Sequence, residues 1–135
     1  MKTSKFARFF AFSMAGLALA LVSVLAMATQ TSADEALAKK YANILGGYEL
    51  DMTAMGGDMH PTDVIVKDGK LWIDDGDGRP AEIRPVGDSG LEFEGRDDYN
   101  GAVKVTFIKD ERGAVIKMHL VMPDQDLDVF GNKVK

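Results

Sequence analysis

From Gly47 to Val129 the side chains change character at nearly every residue, and this alternation constrains the fold more than any other feature. It is clearest between Gly101 and Met122. Val103, Val105 and Phe107 alternate with Lys104, Thr106 and Ile108. Asp110-Glu111-Arg112-Gly113 breaks the run. Ile116, Met118, Leu120 and Met122 then alternate with Val115, Lys117, His119 and Val121. A period of two puts successive side chains on opposite faces of a strand, so two such runs around a short charged loop predict a β-hairpin. The second arm is apolar on much of both faces, which suits a central or doubly covered strand.

The same pattern fills the rest of the segment. Tyr48, Leu50, Met52 and Ala54 predict one strand, followed by an irregular stretch over Met55 to Pro61. Val64 and Val66 open another, and Asp68-Gly69 is a two-residue hairpin signal. Leu71 and Ile73 continue inward with Trp72 on the other face. Ala81 and Ile83, Leu91 and Phe93, and Leu127 and Val129 mark further strands. Asp74 to Gly78, Gly87-Asp88-Ser89-Gly90 and Asn100-Gly101 supply the turns. About eight short strands in series predict a mainly all-β fold, an antiparallel meander. Closing it into a barrel removes the exposed edges, and a two-sheet sandwich is the alternative.

Residues 1–33 read differently. Lys2, Lys5 and Arg8 precede an apolar run from Phe9 to Ala28, and small residues follow. This is the pattern of a secretory signal peptide with cleavage after Ala28 or Ala33; a retained membrane anchor is the alternative. The expected location is the bacterial periplasm or the exterior, with no stable membrane insertion once the signal is cut. Residues 34–45 predict a short helix with an apolar stripe of Leu37, Tyr41, Ile44 and Leu45, stopped by Gly46-Gly47. Ser32 with Glu35 forms a capping-box pattern at its start. Residues 46–135 form the barrel domain, with Leu37, Tyr41 and Ile44 as a natural plug for one end.

Composition excludes some roles. There is no cysteine, so neither a disulfide nor a lipidated cysteine is available. Removing the three leader charges from 16 basic residues leaves 13 against 21 acidic, a net charge of −8. Such a chain is poorly suited to nucleic acid or anionic membrane surfaces.

Gly46-Gly47-Tyr48-Glu49-Leu50, Val66 to Trp72, Ile83-Arg84-Pro85-Val86-Gly87, Phe93, Val105 to Ile108 and Gly113 to Ile116 together resemble a known small domain. It is the lipocalin-like β-barrel of unknown function found C-terminal to serine β-lactamase-like hydrolases and peptidases. The resemblance runs from Leu45 to Val129. It implies an eight-stranded barrel with accessory, oligomerising or binding roles and supplies no catalytic residue. No hydrolase domain precedes the barrel in this sequence.

Residues that carry chemistry are sparse. Ser89 lies in a turn without the strand-to-helix setting of a nucleophile elbow. His60 and His119 are the only histidines; an enzyme built on either lacks a recognisable nucleophile, base and orienting group. His60 with Asp58 falls short of a metal-ligand cluster. Asp74-Asp75-Gly76-Asp77-Gly78 fails the calcium-loop pattern, since counting from Asp75 the fifth position is Arg79 and the twelfth Val86. Glu92 and Glu94 belong to a solvated face. No cofactor or metal is expected. The leading expectation is therefore a non-enzymatic binding module for a small apolar ligand, lined by Tyr48, Leu50, Met52, Phe93, Phe107, Met118 and Leu120. Flexible methionines suit an adaptable cavity, although a barrel of eight strands is also easily filled by its own side chains. The second expectation is an interaction domain. Trp72, Ile108, Val115 and Val121 would form an outward apolar strip for self-association or for docking on a separate hydrolase.

Overall fold

The computed structural model describes residues 32–135. The expected signal peptide, residues 1–33, lies almost wholly outside the described residues. Eight strands close into one antiparallel barrel in the order of the chain. They are β1 (Gly46–Asp51), β2 (Met59–Lys67), β3 (Lys70–Asp74), β4 (Ala81–Pro85), β5 (Glu92–Asp97), β6 (Gly101–Lys109), β7 (Val115–Met122) and β8 (Leu127–Lys133). A helix, α1 (residues 32–40), precedes them. Closure is made by β1 on β8, where Tyr48 faces Lys133 and Leu50 faces Gly131. A side chain on Gly131 would collide with Leu50, so the missing Cβ lets the closing strands approach.

The turns obey the chain's own chemistry. Asp68 and Gly69 both take positive φ, 54° and 71°, as a two-residue type I′ connection requires. In the β6–β7 loop Asp110 N–H donates to Ala114 O at 2.8 Å, and Asp110 Oδ1 accepts the Arg112 and Ala114 N–H groups. One irregularity follows. Ile108 pairs with Lys117 but Lys109 pairs with Val115, so Ile116 is an extra residue in β7. This bulge resets the alternation. Val115 is only 5 % exposed and joins the core, whereas Ile116 is 44 % exposed. The expectation that Val115 faces outward and Ile116 inward is corrected by this bulge.

Some boundaries also differ from the expected ones, β8 among them, which runs on to Lys133. β1 ends at Asp51, and Thr53–Met55 form a 3-10 turn. β2 begins at Met59 and runs through Pro61, which stands opposite Glu49. β3 reaches β2 only as far as Asp63, so Pro61 lies where β2 has no ladder on that side and a missing N–H is tolerated. Finally, α1 ends at residue 40, and the next turn is held by Ile44 N–H to Tyr41 O at 3.0 Å.

That turn plugs the barrel. Tyr41 and Ile44 are buried against the interior. Tyr41 meets Phe93 edge-on with ring centroids 5.6 Å apart, Phe93 meets Phe107 at 5.6 Å, and Phe107 meets Tyr48 at 5.8 Å. Such tilted contacts add to the burial of the rings. Tyr48 Oη donates to Ile44 O at 2.7 Å, and burial pushes its phenol well above the usual range. Outside the core, Gly69 N–H donates to Asp34 Oδ1 at 2.6 Å and Lys133 Nζ to Asn43 O at 2.9 Å. The plug is thus tied to β1, to the β2–β3 turn and to β8.

Candidate functional site

The aromatic cluster fills one end of the barrel and leaves the other unfilled. A cavity of ≈ 550 Å³ opens there. Its wall is apolar: Leu50, Ile73, Ala81, Val103, Leu120, Met122 and Leu127 come from six strands. Met52 and Met55 in the β1–β2 connection and Met59 at the start of β2 stand around its mouth. These three and Met122 are long, flexible and polarisable, so the mouth can mould itself to an apolar guest. The size falls within the range of small-molecule pockets.

Polar groups occupy two levels. At the rim are Asp58, His60, Asp75, Arg79, Asp97, Asn100 and Gln125. Several have their geometry set locally. Asp97 Oδ1 accepts the Tyr99 N–H at 2.8 Å and Oδ2 accepts Asn100 Nδ2 at 2.7 Å; the backbone bond to Tyr99 holds its carboxyl below the ordinary value. Asp75 Oδ1 accepts the Asp77 N–H at 3.1 Å. Its carboxyl is raised, first by burial and then by the hydrogen bond it shares with the Asp77 carboxyl, while the charge of His60 pulls the other way. The Arg79 guanidinium lies 4.6 Å from the Tyr99 ring centroid, and its charge acts on Asp77 and Asp97.

Inside the rim stands Thr62, on the inner face of β2 between His60 and Val64. It is 2 % exposed, and its Oγ1 has no hydrogen-bond partner among the described residues. Among the described residues it is the buried polar residue of an otherwise apolar core. A hydroxyl in that position forgoes its bonds to water without a replacement, which is costly.

The expected lining divides between the two halves. Leu50, Met52 and Leu120 do line the cavity. Tyr48, Phe93, Phe107 and Met118 belong to the packed, plugged half; Met118 and Tyr48 are fully buried. The expected outer strip is not brought together. Val115 is inside, and Trp72 on β3 is separated from Ile108 and Val121 on β6 and β7 by two intervening strands. Trp72 Nε1 instead donates to Lys67 O at 2.9 Å.

The remaining chemical candidates also have definite positions. His119 is on the outer face, stacked on Phe130 with centroids 4.3 Å apart, and its Nε2 meets Asp128 Oδ1 at 2.5 Å. It is on the opposite face of the wall from His60, so the two imidazoles do not share a site. Ser89 Oγ accepts the Leu91 N–H at 3.1 Å, as a turn residue does. Glu92 and Glu94 are exposed. The Asp74 to Asp77 carboxylates accept N–H groups of their own loop. No group of three or more His, Cys, Asp or Glu among the described residues is arranged to hold a metal ion. No described helix is long and apolar enough to cross a membrane.

Sequence reasoning missed Thr62, Asp58, Asp75 and Asp97 as members of one site. Each sits in or beside a turn-like stretch, and only barrel closure gathers them. No protein family, curated protein or solved structure matches this chain.

Proposed function

We propose that the chain is a non-enzymatic binding module of the lipocalin-like kind, acting outside the cytoplasm, that holds a small, largely apolar molecule in the open half of its barrel. The observation that carries this reading is the unequal filling of the two halves. One is packed by four aromatic rings and a plug; the other keeps an apolar-walled cavity of ≈ 550 Å³ with a methionine-rich mouth. A barrel selected only for stability would gain by filling that space, since packed interiors are denser than this. The signal-like residues 1–33 support an exported setting. A catalytic reading has less support, because His60 and His119 are on opposite faces and neither is joined to a nucleophile. A docking role on the expected strip has less support too, because Val115 is inside and Trp72 is two strands away from Ile108 and Val121.

The test is uptake of an environment-sensitive apolar fluorophore by the mature protein, with Ala81→Trp as control. Ala81 lines the cavity and is 6 % exposed, so a large side chain there fills the space. Saturable uptake by the wild type that is lost in the filled variant supports the reading. Uptake that is absent, or equal in both proteins, removes it.

A further inference from the structure

The open end has a charge sign as well as a shape. Its four connections carry Asp58, Asp75, Asp77, Asp98, Asp124 and Asp126, against Arg79 as their one basic residue. Arg79 is turned over the Tyr99 ring, and its charge acts on Asp77 and Asp97. Three of the acids at this end, Asp58, Asp75 and Asp97, line the cavity mouth itself. Arg79 lines the same mouth, so an anionic head group entering there meets three carboxylates against one guanidinium.

The second observation is Thr62. Two residues along β2 from the rim residue His60, it is about 6–7 Å further along the strand, on the same inner face and away from the mouth. Its hydroxyl can donate and accept, is almost wholly buried, and has no partner among the described residues. Around it the wall is apolar, so a guest with its own polar atom at that depth would satisfy the hydroxyl.

Building on the binding reading above, we infer that the ligand is a cationic amphiphile. Its positive head rests among Asp58, Asp75 and Asp97, a polar linking atom such as an amide oxygen meets Thr62 Oγ1, and its aliphatic tail lies against Leu50, Ile73 and Leu120. The head group and the linking atom are separated by a short spacer, matching the distance from rim to Thr62. Neither fatty-acid anions nor plain hydrocarbons meet both requirements.

The test measures calorimetric affinity of the mature protein for four probes below their micellar concentrations: N-(2-aminoethyl)dodecanamide, dodecylamine, 1-dodecanol and dodecanoate. The expected order places the aminoethyl amide first and dodecanoate last, separated by roughly tenfold or more, as a few partly screened charge contacts give. Asp58→Asn with Asp75→Asn narrows that gap. Thr62→Val weakens the aminoethyl amide about three- to tenfold, the worth of one neutral hydrogen bond, and leaves dodecylamine unchanged. Dodecanoate binding as tightly as the amine overturns the inferred charge class while leaving the carrier reading intact. An unchanged amide affinity in Thr62→Val overturns the contact at Thr62. Failure of all four probes overturns the inference together with the binding reading beneath it.

Discussion

Tyr48 Oη donates a 2.7 Å hydrogen bond to the carbonyl of Ile44, four residues earlier, and so fixes the plug to the first strand of the barrel it closes. Both residues are fully buried, so water cannot replace the bond. Tyr48→Phe keeps the ring among its aromatic neighbours but leaves the Ile44 carbonyl without that partner. The expected loss is about 1–3 kcal/mol of unfolding free energy, read from urea denaturation. Because Tyr48 belongs to the packed half, probe affinity at the open end should not change in the same variant.

The bulge at Ile116 makes a paired prediction. Val115→Asp places a carboxylate in the core and should cost about 3 kcal/mol or more, enough to unfold a marginal domain. Ile116→Asp, one residue away, should stay within about 0.5 kcal/mol because that side chain is on the surface. Thermal denaturation of the two variants checks the register. The reverse order would place the bulge elsewhere.

Much of this architecture is legible in the sequence because its signals are local. Asp68-Gly69 needs positive φ at two positions, and the alternation on either side names the faces. The bulge was not legible, since an extra residue in β7 leaves the sequence looking regular while it turns Val115 inward. The early start of β2 was hidden by Pro61, which reads as a breaker unless one knows that β3 stops short of it. The full length of β8 was hidden by Gly131, whose value lies in the space it leaves for Leu50. For the site the limit was different. Inward residues can be named from alternation, but whether Phe93 and Phe107 line a cavity or fill one depends on where the plug sits. That is a long-range fact of packing.

Thr62 carries an expected conflict between stability and binding. Its hydroxyl is buried without a partner among the described residues, so Thr62→Val should raise the stability of the ligand-free protein by about 1 kcal/mol. Calorimetric melting without ligand checks this. A fall in stability would mean that the hydroxyl already has a partner in solution.

Asp75 gives a pH signature. Its carboxyl is raised in the folded protein, first by burial and then by the neighbouring Asp77 carboxyl. Between the ordinary aspartate value of 3.8 and that raised value, the native state holds a proton the unfolded chain has released. Stability contributed at this site therefore falls as pH rises through that window. Asp75→Asn removes the ionisation while its amide oxygen can still accept the Asp77 N–H. The variant should melt higher than the wild type at pH 7, with the difference shrinking to nothing near pH 3. A difference that persists at pH 3 would assign the effect to packing instead.

The methionines divide the barrel more finely than any other probe. Met52, Met55, Met59 and Met122 line the open cavity, whereas Met118 is fully buried in the packed half. The most direct measurement is a titration of the methyl-13C-methionine protein with N-(2-aminoethyl)dodecanamide, followed by methyl NMR. The account predicts saturable shifts of the Met52, Met55, Met59 and Met122 methyl signals, with Met118 left in place. A Met118 signal that moves with the others, or cavity signals that do not move at all, would contradict a barrel filled at one end and receptive at the other.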